Sequence, residues 1–167
     1  MNIRTLFATL IILTAGAAFS YGQLGGGSAA QYDGRVKRAL DAAGLKYTID
    51  SDGDFKLEFD LDNGRTQIVF INTKTYTYDN FEIREVWSPG YQSTSQFSAN
   101  VATRLLADNM DKKIGAWQTM RLNGKVTAVF AAKVAADMTA EQLRSILKAV
   151  SRSADAMEKE LVGTDLL

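Results

Sequence analysis

Between Phe55 and Asp62 the chain alternates without error. Phe55, Leu57, Phe59 and Leu61 are apolar, while Lys56, Glu58, Asp60 and Asp62 are charged. A period of two puts successive side chains on opposite faces, so this segment predicts a strand with one face in a core. Upstream, Leu45, Tyr47 and Ile49 alternate with polar residues and predict an earlier strand, joined through the turn Asp50-Ser51-Asp52-Gly53-Asp54. Downstream, Asn63-Gly64 is a two-residue hairpin signal, because both residue types accept the positive φ of such turns. With Asp62 facing Arg65, Phe59 is expected to meet Ile68, and Leu57 to meet Phe70. Asp79-Asn80 predicts the next two-residue turn, with Tyr78 facing Phe81 and Tyr76 facing Ile83. These registers gather Phe55, Leu57, Phe59, Leu61, Ile68, Phe70, Tyr76, Tyr78, Phe81, Ile83 and Trp87 on one expected core face. The strand from Arg65 to Tyr78 is long, and a bulge at Asn72–Thr75 would shift its later half. Without that bulge, Lys74 faces Glu85 as a cross-strand pair. Ser88-Pro89-Gly90 holds the only proline and is expected to end the meander.

Helical spacing flanks these strands. Tyr32, Val36, Leu40 and Ala43 share one face of a helix over 32–43, with Gly44 as its stop. Phe97, Val101 and Leu105, with Leu106 and Met110 alongside, predict a helix over 96–109. A second sheet unit runs from Ile114 to Val134 around Asn123-Gly124, with Trp117 facing Phe130. Thr139 and Gln142 form a capping box that opens the last helix. That helix carries Leu143, Leu147, Val150, Ala154, Met157 and Leu161 at alternating steps of four and three, and Gly163 ends it. The spacing also fits a coiled-coil seam, but packing on the domain's own sheet accounts for it. The predicted order is α-β-β-β-β-α-β-β-α. Short hairpins argue for an antiparallel sheet with the helices on one side, an α+β two-layer sandwich spanning 31–163.

The first 22 residues depart from this pattern. Arg4 precedes an uncharged apolar run from Thr5 to Phe19, and Ser20-Tyr21-Gly22 places small residues before Gln23. This order predicts a secretory signal peptide over 1–22. A helix over 5–19 would rise only about 22 Å, short of roughly 30 Å of hydrocarbon. The protein is therefore expected to be exported, periplasmic or secreted, and off the membrane after cleavage. Residues 23–30, rich in Gly, Ser and Ala, read as a flexible leader.

Composition narrows the chemistry. Arg4 is the one charged residue of 1–22, so the mature chain carries 18 basic against 19 acidic side chains. A near-neutral balance gives no electrostatic footprint for nucleic acid. The chain has no Cys and no His, which removes disulfides, Ser-His-Asp and Cys-His chemistry and nearly every zinc site.

The stretch from Asn109 onward, NMDKKIGAWQTMRLNGKVTAVFAAKVAADMTAEQLRSILKAV, resembles the YbjN family and the type III secretion chaperone-like fold. A helix ends in Asn, a strand begins at Gly115-Ala116-Trp117, a hairpin follows, and the closing helix opens on Thr139-Ala140-Glu141-Gln142-Leu143. The order of elements matches over about residues 31–161. The resemblance implies a protein-binding or chaperone-like role and a homodimer, and it supplies no active site.

The residues themselves offer few sites. Asp50, Asp52 and Asp54 lack the Gly and Glu that an EF-hand loop needs at its sixth and twelfth positions, and read as a solvated turn. Asp60 with Asp62, and Glu82 with Glu85, are carboxylate pairs on strands, without the converging geometry of acid–base catalysis. No catalytic, cofactor-binding or metal-binding residue is assigned. Tyr76, Tyr78, Trp87 and Tyr91 lie at strand ends and in a loop, where aromatic side chains anchor partners. The expectation is a non-enzymatic protein- or peptide-binding module, homodimerisation included. A small-ligand sensor or carrier, with a pocket between sheet and helices, is the alternative.

Overall fold

The computed structural model describes residues 31–167. The expected signal peptide and leader lie outside the described residues. Helix α1 (Gly34–Ala42) is capped by Asp33, whose carboxylate accepts from the Arg35 N–H at 2.8 Å. Six strands and two further helices follow: β1 (Thr48–Ile49), β2 (Phe55–Asp60), β3 (Thr66–Tyr78), β4 (Phe81–Ser93), α2 (Ala99–Asp111), β5 (Ala116–Leu122), β6 (Lys125–Ala135) and α3 (Ala140–Leu161). All strand pairs are antiparallel, in the order β1-β2-β3-β4-β6-β5. The second sheet unit therefore joins the first, through β6 against β4. Val36 and Leu40 of α1, Leu105 of α2 and the stripe of α3 share one core with Phe55, Leu57, Val69, Ile71, Val86 and Phe130. The α+β sandwich and its order of elements are as expected. No helix among the described residues is long and apolar enough to cross a membrane.

Two expected registers hold. Tyr78 pairs with Phe81 and Tyr76 with Ile83, and Trp117 pairs with Phe130. Asn123 (φ +49) and Gly124 (φ +79) make the latter turn. Thr139 and Gln142 form the capping box reciprocally.

The first corner differs. Asp62, Asn63 and Gly64 form a three-residue turn closed by the Leu61 N–H on the Arg65 carbonyl at 2.7 Å. Phe59 therefore pairs with Gln67 and Leu57 with Val69, one residue away from the expected register. A slip of one turns every side chain to the other face. Gln67, Val69 and Ile71 point into the core and are fully buried, while Ile68 and Phe70 point away from it. The expected core list is corrected accordingly. Ile68, Phe70, Ile83 and Trp87 lie on the opposite face, as do the exposed Tyr76, Tyr78 and Phe81. On α2, Leu106 and Met110 are exposed rather than packed.

Three further corrections have local causes. The first strand shrinks to Thr48–Ile49. A register shift between Ile71 and Thr75 takes Lys74 out of line with Glu85, so that pair does not form. Lys74 sits over the Tyr76 ring at 5.1 Å, and Glu85 accepts from Gln118 Nε2 at 2.7 Å. Pro89 does not end its strand. The β3–β4 ladder stops at Phe70 and Trp87, and beyond it the Gln67 amide donates to the Pro89 carbonyl at 2.8 Å. On its other side β4 continues against β6 to Ser93, through a bulge between Pro89 and Tyr91. Proline lacks one N–H, so it can disrupt one ladder and spare the other.

Arg84, only 1% exposed, ties α1 to this sheet. It pairs with Asp33, donates to the Asn72 carbonyl at 2.6 Å, and reaches the Ala136 carbonyl at 3.3 Å. Burial pushes the Asp33 carboxyl up, but hydrogen bonds from Arg35 and Arg84 outweigh it and hold it well below the usual range. Arg35 in turn lowers Glu82 to about 2. A carboxylate lowered in the folded state stabilises fully above its unfolded pKa near 4, and that stability is lost as pH falls below it. Removing one partner of a buried ion pair costs about 3–5 kcal/mol. Arg84→Ala is expected to lose about this much in urea unfolding at neutral pH. The wild type is expected to lose stability from about pH 4 downward, with a shallower fall in the variant. Parallel acid profiles for the two chains would contradict this.

Candidate functional site

The face of the sheet opposite the helices is built by alternation. Register places Ile68 and Phe70 of β3, Ile83 and Trp87 of β4, and the buried Val129 and Ala131 of β6 on it. No helix among the described residues contributes a buried side chain to this face. Phe70 and Trp87 are cross-strand partners and stack, with ring centroids 4.3 Å apart and planes 15° from parallel. The indole orientation is fixed by Trp87 Nε1 donating to Asn72 Oδ1 at 2.8 Å. Asn72 belongs to the β3 bulge, so the same irregularity that shifts the register also positions the indole.

Beyond the bulge the β3–β4 hairpin projects, and its apolar side chains emerge into solvent. Tyr76 is 53% exposed, Phe81 52% and Tyr78 80%. With the stacked pair they form a band of rings along one face. Rings of this kind offer large contact area at little conformational cost.

Of the four residues expected to contact a partner, Tyr76, Tyr78 and Trp87 lie on this face. Tyr91 does not. The bulge after Pro89 places it opposite Ala128 on the helix side, where it meets Phe97 edge-to-face at 5.3 Å. Phe70 and Phe81, which were expected in the core, join the face instead. The signal for Phe70 was the run Ile68-Val69-Phe70-Ile71, which is apolar at every position and has no polar side to turn outward.

The ionisable groups form structural networks. Arg65 binds Asp155, Glu158 at 2.9 Å and Asp165 at 3.7 Å. These three carboxylates are close enough to hold a cation, but the Arg65 guanidinium already supplies the positive charge. Burial raises Glu158, with Arg65 and the Leu166 N–H opposing it. Asp108 is raised by burial and lowered more by hydrogen bonds from Trp117 and Lys112, for a net fall. Its carboxylate accepts from Trp117 Nε1 at 2.8 Å. In the Asp50–Asp54 turn, Asp50 Oδ1 accepts from the Asp52 and Asp54 N–H groups at 2.9 and 3.0 Å, and Asp54 Oδ1 accepts from the Thr73 N–H of β3 at 2.6 Å.

The YbjN family, described as "Putative bacterial sensory transduction regulator", matches residues 33–162. The chain belongs to the YbjN family. The match runs from the residue that caps α1 to the residue that caps α3, so it takes in every element, the aromatic face included. Among solved structures, the crystal structure of YbjN from E. coli, named there "a putative transcription regulator", is similar at 14% identity and a TM-score of 0.48. That likeness covers 75% of this chain and 88% of that one. No curated protein matches.

The two tryptophans of this YbjN-family chain stand on opposite faces, Trp87 half-buried on the aromatic face and Trp117 in the core. Acrylamide is expected to quench Trp87 emission in the folded protein and to leave Trp117 largely untouched. A Trp87→Phe variant is therefore expected to lose most of the quenchable signal. Equal quenching of both variants, Trp87→Phe and Trp117→Phe, would contradict this placement.

Proposed function

We propose that this chain is a non-enzymatic, chaperone-like module that binds a protein or peptide through the aromatic face of its sheet. The observation that carries the reading is the sheet face, bare of helices among the described residues, with its Phe70–Trp87 stack and exposed Tyr76, Tyr78 and Phe81. Large apolar side chains exposed together on one face mark interaction sites on soluble proteins. The family description names a regulator, and a regulator can act through such a contact without an active site. A second copy of the chain is one occupant the face can take, giving a homodimer. The apolar lead over 1–22 supports action in the cell envelope, periplasmic or secreted, after cleavage.

The test uses the mature chain, residues 23–167. Light scattering reads self-association, and capture from envelope extract reads other partners. Tyr78→Asp and Phe70→Ser are expected to weaken either association at least tenfold, with thermal melts showing both variants folded. An exposed control away from the face, Lys37→Glu, is expected to change nothing. A monomer that captures nothing, or capture indifferent to both face variants, would overturn the reading.

A further inference from the structure

Strand β6 outlasts its partner. Its ladder with β5 begins at Ala116 opposite Ala131, yet β6 runs on to Ala135. Gly115 turns the incoming chain off the sheet edge with φ +80. A Cβ there would lie 2.7 Å from the Phe130 ring and 2.9 Å from the Ala131 carbonyl oxygen, so only glycine fits. On the other side of β6, the Ala136 N–H bonds to the Glu82 carbonyl at 3.0 Å. Alternate residues of an antiparallel strand direct their hydrogen-bonding groups to opposite neighbours. The N–H and C=O groups of Lys133 and Ala135 therefore point to the side that β5 has left. Among the described residues, no turn or loop backbone group bonds to either N–H.

This free edge opens into a groove of about 640 Å³. Phe81, Ile114, Met138 and Ile146 give it an apolar lining, and Lys113 and Lys133 stand along it. It continues into a second groove of about 430 Å³ that shares Lys113, Ile114 and Ser145 and adds Lys148 and Arg152. Lys113, Lys133, Lys148 and Arg152 take part in no ion pair among the described residues. Lys112, also in this lining, is held by Asp108 at 3.1 Å, and among the described residues Asp111 is the one acidic residue in the two linings.

We propose that the β6 edge at Lys133–Ala135 accepts an acidic, extended segment of another protein as an added strand. The free backbone groups supply pairing, the apolar lining takes alternate side chains, and the four unpaired cations meet carboxylates. A phosphate backbone would meet the cations but leave the apolar lining and the free carbonyls unused, and the chain carries no net charge to draw a polyanion. The edge is separate from the aromatic face, with Phe81 bordering both, and the inference stands without that reading.

The probe is a fluorescent decapeptide of alternating Glu and Val, titrated into the mature chain. Saturable binding is expected, weakened at least tenfold by Lys113→Glu with Lys133→Glu and unchanged by Tyr78→Ala. Methylating alternate backbone amides of the peptide, which leaves its charge intact, is expected to abolish binding. Hydrogen exchange at the Lys133 and Ala135 amides is expected to slow when the peptide is bound. Equal binding of decaglutamate or of the methylated peptide would show charge attraction alone and overturn the proposal. So would binding of a 20-base-pair DNA duplex in place of the peptide. Absence of saturable binding would also overturn it, leaving Lys133 as a charge that guards an edge strand against pairing.

Discussion

Side chains alternate along a strand, so the number of residues in the corner between β2 and β3 decides which of them are buried. The corner at Asp62–Gly64 holds three. That count sends Val69 and Ile71 into the core against Leu57 and Phe55, and leaves Ile68 and Phe70 on the other side. The consequence spreads across the sheet. Phe70 facing outward selects Trp87 as its partner on β4, and the two rings begin the aromatic face. With one residue fewer in the corner, Phe70 would lie under α3 and the face would lose its centre.

Two interruptions of regular pairing then place everything else. The bulge after Ile71 frees the Asn72 carbonyl for Arg84 and the Asn72 side chain for Trp87, so one irregularity serves both faces. On the helix side Arg84 closes the contact with Asp33 that fixes the start of α1. Pro89 ends the β3 ladder, and Gln67 turns its amide into the gap, donating to Ser88 Oγ and the Pro89 carbonyl. The bulge that follows swings Tyr91 to the helices. A third departure, Gly115, leaves the end of β6 unpaired on its β5 side. Each irregular position sits where a side chain or an edge becomes available for another purpose, a pattern common to bulges and edge strands.

Much of this fold is legible in the chain. The error-free alternation of 55–62, the Asn123-Gly124 turn and the Thr139 capping box each predict their element, and two hairpin registers follow from turn residues alone. The β2–β3 register is not legible, for a physical reason. Ile68-Val69-Phe70-Ile71 is apolar at every position, so either parity buries an equally good set of side chains. Asn63-Gly64 fits a two-residue turn, and it fits equally well the last two places of a three-residue one, since both residues have positive φ there. Local chemistry is degenerate at that corner, and packing against the helices decides it. The same degeneracy hid Phe70 and Phe81 as surface residues. Tyr76, Tyr78 and Trp87 were legible as a group because they cluster near hairpin ends, while the Tyr91 position depends on a bulge that a proline signals only ambiguously.

The aromatic face exists only because of the parity of β3, and the absence of cysteine from the chain makes that parity directly measurable. Single-cysteine variants Ile68→Cys and Val69→Cys can be probed with a maleimide in the folded monomer. The thiol at 68 is expected to react in the folded protein, more slowly than in an unfolded control, and the thiol at 69 only after denaturation. Rapid reaction at 69 with protection at 68 would restore the two-residue corner, and the aromatic face would then belong to the core.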